Sequence, residues 1–491
     1  MISFKLVVKD GRQSPLRGML FRQSNRILRF QKGHTLELQV DKMAYGGQGV
    51  ARLDGLVIFV KGAIPGDRVM AQVIRKKKDY ANAKIAELLE PSPDRIRPPC
   101  PYSGFCGGCQ WQHVSYERQT AYKKAHIKEA MARIGGIPVV KVHDVIPSEK
   151  KYGYRNKMEF SFSDRRWFLP EEMDKRETES GFALGLHVPG IYNKVIDVDA
   201  CLLQEETGNQ ILREVKKYVR DSGISVYGLK SHEGFWRFLA LRYSPAFDEW
   251  MVNIVTKEEK VDVVETLSET LCRRIDNIKT VVNNINGRGA SIAIGEKELV
   301  LAGEGYIKDR LGPFNFHVSA NSFFQTNSLS AENLYTKIVE FSELRGSETV
   351  LDLYSGTGTI PIFLSNHAKA VIGIELVKSA VQDAARNCSS NGVNNCRFIQ
   401  GDIRKRLATL GLKPDVMIID PPRAGIHKEI LAGVMEIATE RIIYTSCNPV
   451  TMARDLGLMS QDYEVVEIQP VDMFPQTYHI EAIAKLVRRR G

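Results

Sequence analysis

From Thr349 onward the chain alternates short apolar runs with segments of helical periodicity, and this constrains the fold more than any other feature of its 491 residues. The apolar runs are Thr349 to Tyr354, Ala370 to Leu376, Asp415 to Asp420, Arg441 to Thr445 and Ile480 to Val487. Runs of this length, separated by helical stretches, match a parallel sheet whose crossovers are helices, so a doubly wound α/β domain is expected. In such a sheet a ligand sits beyond the carboxyl ends of the strands. The chemistry is therefore expected where these runs stop.

The first run stops in Asp352-Leu353-Tyr354-Ser355-Gly356-Thr357-Gly358-Thr359, a glycine loop that opens a helix. Glycines there admit close backbone approach to a nucleotide-like ligand, and the missing Gly-x-Gly-x-x-Gly disfavours a dinucleotide. Glu375 closes the second run 23 residues after Asp352, where a carboxylate can accept both ribose hydroxyls. Asp402, in Gln400-Gly401-Asp402, follows a third strand and can face an adenine amino group. Each of these acids also has a plainer reading as a helix cap.

The fourth strand stops at Asp420-Pro421-Pro422-Arg423. Enzymes that methylate exocyclic amines of nucleic acids place an aromatic after Asp-Pro-Pro. Arg423 in that place favours a ring carbon, with Asp420 orienting the substrate ring or the cofactor. The fifth strand stops at Tyr444-Thr445-Ser446-Cys447-Asn448-Pro449. Carbon 5 of uracil becomes nucleophilic once a thiolate adds to carbon 6, and a base must later remove the carbon 5 proton. Cys447 suits the first task and Glu481, in Tyr478-His479-Ile480-Glu481, the second. Taken singly, Cys447 reads as packing and Glu481 as a surface acid.

Upstream the texture differs. Gly33 to Glu90 carries short alternating segments separated by Gly46-Gly47, Gly49 and Pro65-Gly66-Asp67, the pattern of a small β-barrel. Nine of the ten net positive charges fall in residues 1 to 95, including Arg75-Lys76-Lys77-Lys78, which reads as a phosphate-facing rim or as a solvated loop. Cys100-x5-Cys106-x2-Cys109, set among Gly104, Gly107 and Gly108, places three thiolates at close range, and Cys201 is the candidate for a distant fourth. Zinc and iron-sulfur clusters both accept four thiolates, so the spacing leaves the metal open. Eight cysteines without a secretory signal point to reduced thiols and a cytoplasmic protein. Residues 1 to 32 hold one acid, Asp10, and look like an organellar transit peptide or an extended start with Met19 as the alternative. With 26% charged residues and no long uncharged apolar run, a membrane role is not expected.

Several of these motifs resemble known modules. Tyr45-Gly46-Gly47-Gln48-Gly49-Val50-Ala51-Arg52 followed by Gly62-Ala63-Ile64-Pro65-Gly66-Asp67 resembles the TRAM domain, an OB-like RNA-binding barrel. The Asp352 to Gly358 loop resembles motif I of the class I, Rossmann-like methyltransferases. Together with Ser446-Cys447-Asn448-Pro449 and His479-Ile480-Glu481, the chain from Gly33 to Val487 resembles the RNA uracil-C5 methyltransferases, and within them the type that modifies 23S ribosomal RNA. The resemblance implies S-adenosylmethionine as methyl donor, Cys447 as nucleophile and Glu481 as base. Phe323-Phe324-Gln325-x-Asn327 matches a family motif, which makes Gln325 a cofactor or substrate contact. Tyr354, Gly356, Gly358, Thr359, Glu375, Asp402 and Asp420 fall on cofactor positions. Cys100, Cys106, Cys109 and Cys201 fall on the ligands of a 4Fe-4S cluster, with a structural or RNA-folding role.

The expected architecture is multidomain: a basic extension over 1–32, a TRAM barrel over 33–92, a central α+β RNA-binding region with the cluster over 93–318, and a methyltransferase domain over 319–491. The expected partner is RNA, 23S ribosomal RNA or a precursor, bound by a monomer. The transfer-RNA branch of the family generally lacks both the barrel and the cysteine cluster. Rival readings are a radical methylthiotransferase, opposed by the absence of C-x3-C-x2-C; an RNA-binding factor with a vestigial fold, opposed by the retention of Cys447 and Glu481; and a cytosine-C5 methylase, opposed by Ser-Cys-Asn-Pro with His-x-Glu.

Overall fold

The computed structural model describes residues 30–175, 181–289 and 293–490, so most of the basic extension, with Asp10 and Met19, lies outside the described residues. The chain divides into two compact units. One holds the residues up to Gly104 with Cys109–Tyr122 and Gln476–Tyr478, and the other holds Phe105–Gly108, Lys123–Pro475 and the chain from His479 on.

The first unit is built on six strands: β1 (Thr35–Gln39), β2 (Lys42–Met43), β3 (Gly49–Leu53), β4 (Leu56–Lys61), β5 (Arg68–Lys76) and β6 (Tyr80–Glu90). Their order is β1-β5-β6-β4-β3-β2, antiparallel except for β4 and β6. Because β1 pairs with β5 while its continuation β2 pairs with β3, the sheet closes on itself as a barrel. The period-two alternation fills the inside with Leu36, Leu38, Ala51, Ile58, Val60, Val69 and Ala71, all essentially buried. Asp67, at the tip of Pro65-Gly66-Asp67, is wholly buried and accepts from Ile64 N at 2.7 Å, Ser92 N at 2.9 Å and Arg95 Nη2 at 2.6 Å. Burial alone pushes its carboxyl up, and these donors outweigh it and hold the pKa below the usual value. Arg75, Lys77 and Lys78 are exposed where β5 ends, while Lys76 turns back over the Phe30 ring at 4.3 Å.

In the second unit a central eight-stranded sheet has Trp236–Ser244 and Lys157–Ser163 at its middle. The helices Glu206–Asp221 and Val261–Arg274 pack on it. The hairpin of Tyr306–Leu311 and Phe314–Ser319 and the helix Ser328–Ser342 then lead into a second sheet. Its strands are β7 (Thr349–Leu353), β8 (Ala370–Glu375), β9 (Cys396–Gln400), β10 (Val416–Ile419), β11 (Arg441–Ser446), β12 (Tyr463–Val471) and β13 (Glu481–Arg488). Their order is β9-β8-β7-β10-β11-β13-β12, and Lys141–Val142 pairs with β12 at the edge. The five strands from β9 to β11 are parallel, and residues alternate between two cores: Leu351, Met417 and Tyr444 face one, and Val350, Ile418 and Ile443 the other.

The run from Ile480 differs from the expected parallel pattern, because β13 is antiparallel to both of its neighbours. The reason is β12, a strand that the apolar runs did not reveal because Glu464, Glu467 and Gln469 interrupt its hydrophobicity. A chain that leaves β12 and returns at once beside it must run antiparallel. Its sheet also takes Lys141–Val142, well upstream of residue 319.

Candidate active site

Antiparallel pairing brings the two ends of the proposed chemistry together. Ser446 of β11 pairs with Ala482 of β13, so the next step of the same register sets Cys447 opposite Glu481. Directly opposed residues of an antiparallel pair point to the same face, with Cβ atoms about 5 Å apart. Asp420, the residue after β10, comes to the same place because β10 lies beside β11 in parallel register.

The loop around Cys447 is held by hydrogen bonds that its sequence dictates. Asn448 caps the helix Pro449–Met459 through its side chain, which accepts from Val450 N at 3.1 Å, with Pro449 at the first helical position. Cys447 thus sits at a helix N-terminus, whose dipole favours a thiolate. The loop after Asp420 is fastened to the same helix. Asn448 Nδ2 and Thr451 Oγ1 donate to Arg423 O at 3.1 and 3.2 Å, Arg454 Nη2 donates to Ala424 O at 2.9 Å, and Ile426 N donates to Asp455 Oδ2 at 2.8 Å. Tyr444 OH reaches the same Asp455 oxygen at 2.7 Å.

The electrostatics are those of a crowded, enclosed acid site. Burial, then the charges of Glu481 and Asp420, push the half-buried Cys447 thiol up to about 11, and Arg423 pulls it back. Burial and then Asp420 hold Glu481 well above the usual carboxylate range, again opposed by Arg423. Asp420 is raised by burial against a hydrogen bond from Thr445, and Asp352 by burial, Asp420 and Glu375. His479 is pushed down to about 4 by burial and by the charges of Arg423, Lys123 and Arg155, which leaves its ring neutral at physiological pH.

On the other side of Asp420 lies the glycine loop. Tyr354, Gly356 and Gly358 all have positive φ, at 67°, 55° and 80°. A Cβ on Gly358 would lie 2.8 Å from the Phe398 ring and 2.9 Å from Ala384 Cβ, so only glycine fits. Glu375 accepts from Gly356 N at 3.0 Å and from Val377 N at 2.7 Å, which locks it to the loop while each oxygen keeps a second lone pair. Leu376 and Val377 beside it are exposed apolar residues. Tyr335 OH lies 3.2 Å from Thr359 Oγ1. Gln325 is held by its backbone, whose oxygen accepts from Asn156 Nδ2 at 2.8 Å.

The family models match this chain in two stretches: a tRNA (uracil-5-)-methyltransferase model over residues 248–489 and a TRAM domain model over residues 29–86. An uncharacterized RNA methyltransferase of Chlorobaculum tepidum is 41% identical over 468 residues, covering 93% of this chain and 97% of that protein. The chain belongs to the RNA uracil-5-methyltransferase family. A second relative, an uncharacterized RNA methyltransferase of Halalkalibacterium halodurans, is 38% identical over 93% of this chain and 97% of its own. Among solved structures, the Pyrococcus abyssi tRNA (uracil-54, C5)-methyltransferase in complex with S-adenosyl-L-homocysteine matches with a TM-score of 0.71 and 29% identity, covering 92% of this chain and all of that one. The methyltransferase therefore carries a TRAM domain at its N-terminus and a class I fold at its C-terminus, and it uses S-adenosylmethionine to methylate carbon 5 of uracil in RNA. The glycine loop, the locked Glu375 and the exposed apolar pair beyond it fit the nucleoside of that cofactor.

One sequence expectation meets a competing local partner. Asp402 is a helix cap: it accepts from Arg404 N at 3.0 Å and pairs with the Arg404 guanidinium, which draws its pKa down to about 2. The four cysteines of the expected cluster are divided between the two units, Cys100 and Cys109 in the first and Cys106 and Cys201 in the second. Among the described residues no group of three or more His, Cys, Asp or Glu is arranged to hold a metal, although Cys201 is buried and Gly108 N donates to Cys106 Sγ at 3.3 Å. No helix of the described residues is long and apolar enough to cross a membrane.

Sequence reading assigned no role to Arg423, Tyr335 or Asp455. The first was visible as the residue after Asp420-Pro421-Pro422, but its charge acquires meaning only beside Cys447 and Glu481. The other two lie on helices and carried no positional signal.

Proposed function

We propose that this methyltransferase converts a uridine of 23S ribosomal RNA to 5-methyluridine, with Cys447 as nucleophile and Glu481 as general base. What carries the reading is the β11–β13 register, which sets those two residues opposite one another beyond Ser446 and Ala482. The Cys447 thiolate adds to carbon 6, and the electron pair released onto carbon 5 attacks the methyl carbon of S-adenosylmethionine, so that the carbon 5–methyl bond forms as the sulfur–methyl bond breaks and S-adenosylhomocysteine leaves. Glu481 then takes the carbon 5 proton, the carbon 5–carbon 6 double bond re-forms, and the thiolate leaves. Arg423 lowers the pKa of both groups and so favours the ionised forms that these steps need. Asp420 orients the ring or the cofactor, and Gln325, Tyr354, Gly356, Gly358, Thr359, Glu375 and Asp402 form the cofactor site. The target base leaves its stack at a cost of roughly a few kcal/mol. In this reading the barrel and the central region, divided near residues 33, 93 and 319, hold the RNA while a cytoplasmic monomer acts on it.

The C-x5-C-x2-C spacing and the resemblance support a 4Fe-4S cluster on Cys100, Cys106, Cys109 and Cys201, and no step of the reaction passes through it. Iron and sulfide analysis of protein purified without oxygen, beside Cys106→Ser, decides between bound iron lost in the variant and no iron at all.

Transfer RNA is the second reading. The Pyrococcus abyssi enzyme, named for uracil 54 of tRNA, matches over 92% of this chain, and the remainder is too short to leave out the whole barrel. A barrel therefore does not by itself point to ribosomal RNA. Purified protein is given labelled S-adenosylmethionine with unmodified 23S RNA or unmodified tRNA, and nucleosides are identified by mass spectrometry. Cys447-dependent 5-methyluridine in 23S RNA is the expected result. The same product in tRNA alone would transfer the reading to tRNA, and 5-methylcytidine, or a product that survives Cys447→Ala, would overturn the mechanism.

A further inference from the structure

The central sheet carries a hollow of about 500 Å³, in the size range of small-ligand pockets, that the reaction leaves unused. Its floor follows from the strand register. One row across the sheet is Glu159, Ala240 and Asn253, and the next is Gly185, Ser161 and Phe238. Small residues at the middle of each row sink the surface there. A third row, Arg242 and Met251, is covered, because Met251 packs with Ile307 and Leu311 of the following hairpin. The rim is apolar and open: Tyr192 is 70% and Ile294 53% exposed.

The polar groups in the hollow suit a heterocycle better than an anion. Lys157 is engaged by Glu159 at 2.5 Å, and the buried Arg242 donates to Ala320 O and Ser322 O, so neither cation is open to a phosphate. Glu159 would repel one. A flat base finds what it needs: a floor of small side chains, the Tyr192 ring to stack on, Glu159 as acceptor and the Asn253 amide, whose Oδ1 already accepts from Asn284 Nδ2 at 3.0 Å. The wall also includes Ala320 and Asn321, a few residues before the exposed Phe323 and the cofactor contact Gln325. Asn321 Nδ2 donates to Asn284 Oδ1 at 2.9 Å, which joins that loop to the floor.

We propose that this hollow binds a second, unstacked nucleobase of the substrate RNA, one whose exocyclic amine donates to Glu159, and so registers the target uridine at Cys447. The inference rests on RNA being the substrate, as the family membership implies. Tyr192→Ala, Tyr192→Phe and Glu159→Ala are compared with wild type for binding of unmodified 23S RNA and tRNA by fluorescence anisotropy, and for S-adenosylhomocysteine by calorimetry. Tyr192→Ala and Glu159→Ala should weaken binding of the preferred RNA about ten-fold, as loss of a stacked base does, with Tyr192→Phe near wild type and cofactor affinity unchanged. Either alanine variant binding RNA as wild type does would overturn the proposal. Tighter binding by Glu159→Ala would as well, because it marks a phosphate drawn to the released Lys157. Wild-type protein that binds RNA but forms no 5-methyluridine would sink the uridine reading and leave this test intact.

Discussion

Replacing Glu481 by Gln keeps the size of a buried side chain and removes its ability to take a proton. The two halves of the reaction should then separate. The Cys447 thiol is held near about 11 by burial first and by the Glu481 charge second, so removing that charge makes the thiolate easier to form and addition to carbon 6 no slower. Release after methyl transfer, which needs the carbon 5 proton removed, loses its general base, a contribution of about 10²- to 10⁴-fold. Glu481→Gln should therefore accumulate a covalent RNA–protein adduct carrying the transferred methyl group, while turnover falls by about that factor. The assay is a denaturing gel of end-labelled RNA with S-adenosylmethionine, with Cys447→Ala as the control that forms no band. Turnover within about ten-fold of wild type, or loss of turnover without any adduct, would refute the assignment of Glu481 as the base.

Because burial raises both Cys447 and Glu481, the reactive ionised forms grow with pH, and the initial rate should rise from about pH 6.5 to about pH 9 by up to ten-fold per unit. Arg423→Gln, which removes the charge that lowers both, should displace that profile to higher pH; a flat profile in either protein would count against the coupling. Lys123 and Asp472 form a wholly buried ion pair at 2.6 Å, and Asp472 also accepts from Phe474 N in the segment leading to Glu481. Lys123→Met should cost about 3–5 kcal/mol in urea unfolding, and Lys123→Met with Asp472→Leu should recover most of it; a double variant no better than the single would argue that the pair is not the source. Gly358→Ala, at φ 80° and against Phe398, should abolish the thermal stabilisation that S-adenosylhomocysteine gives the wild type, read by differential scanning fluorimetry.

The sequence by itself determined the parallel strands of the second sheet and the barrel, though not β12, and which residues stand at the ends of the parallel strands. Val350 and Leu351, and Val416 through Ile419, are apolar at successive positions because both faces of a parallel strand are covered, and Asp352, Glu375, Asp420 and Cys447 fall where those runs stop. The barrel was legible as well, since Leu36 and Leu38 or Ile58 and Val60 repeat at the period of a half-buried strand. Both are local signals, written within a few residues. Tertiary structure alone decided that β13 runs antiparallel between β11 and β12, and so that Glu481 opens its strand beside the residue that follows β11. It alone turned Arg423 from a residue after two prolines into the charge that acts on both catalytic groups. Pairing direction and the electrostatic field at a site depend on segments far apart in the chain, and no periodicity within one segment records which of them become neighbours.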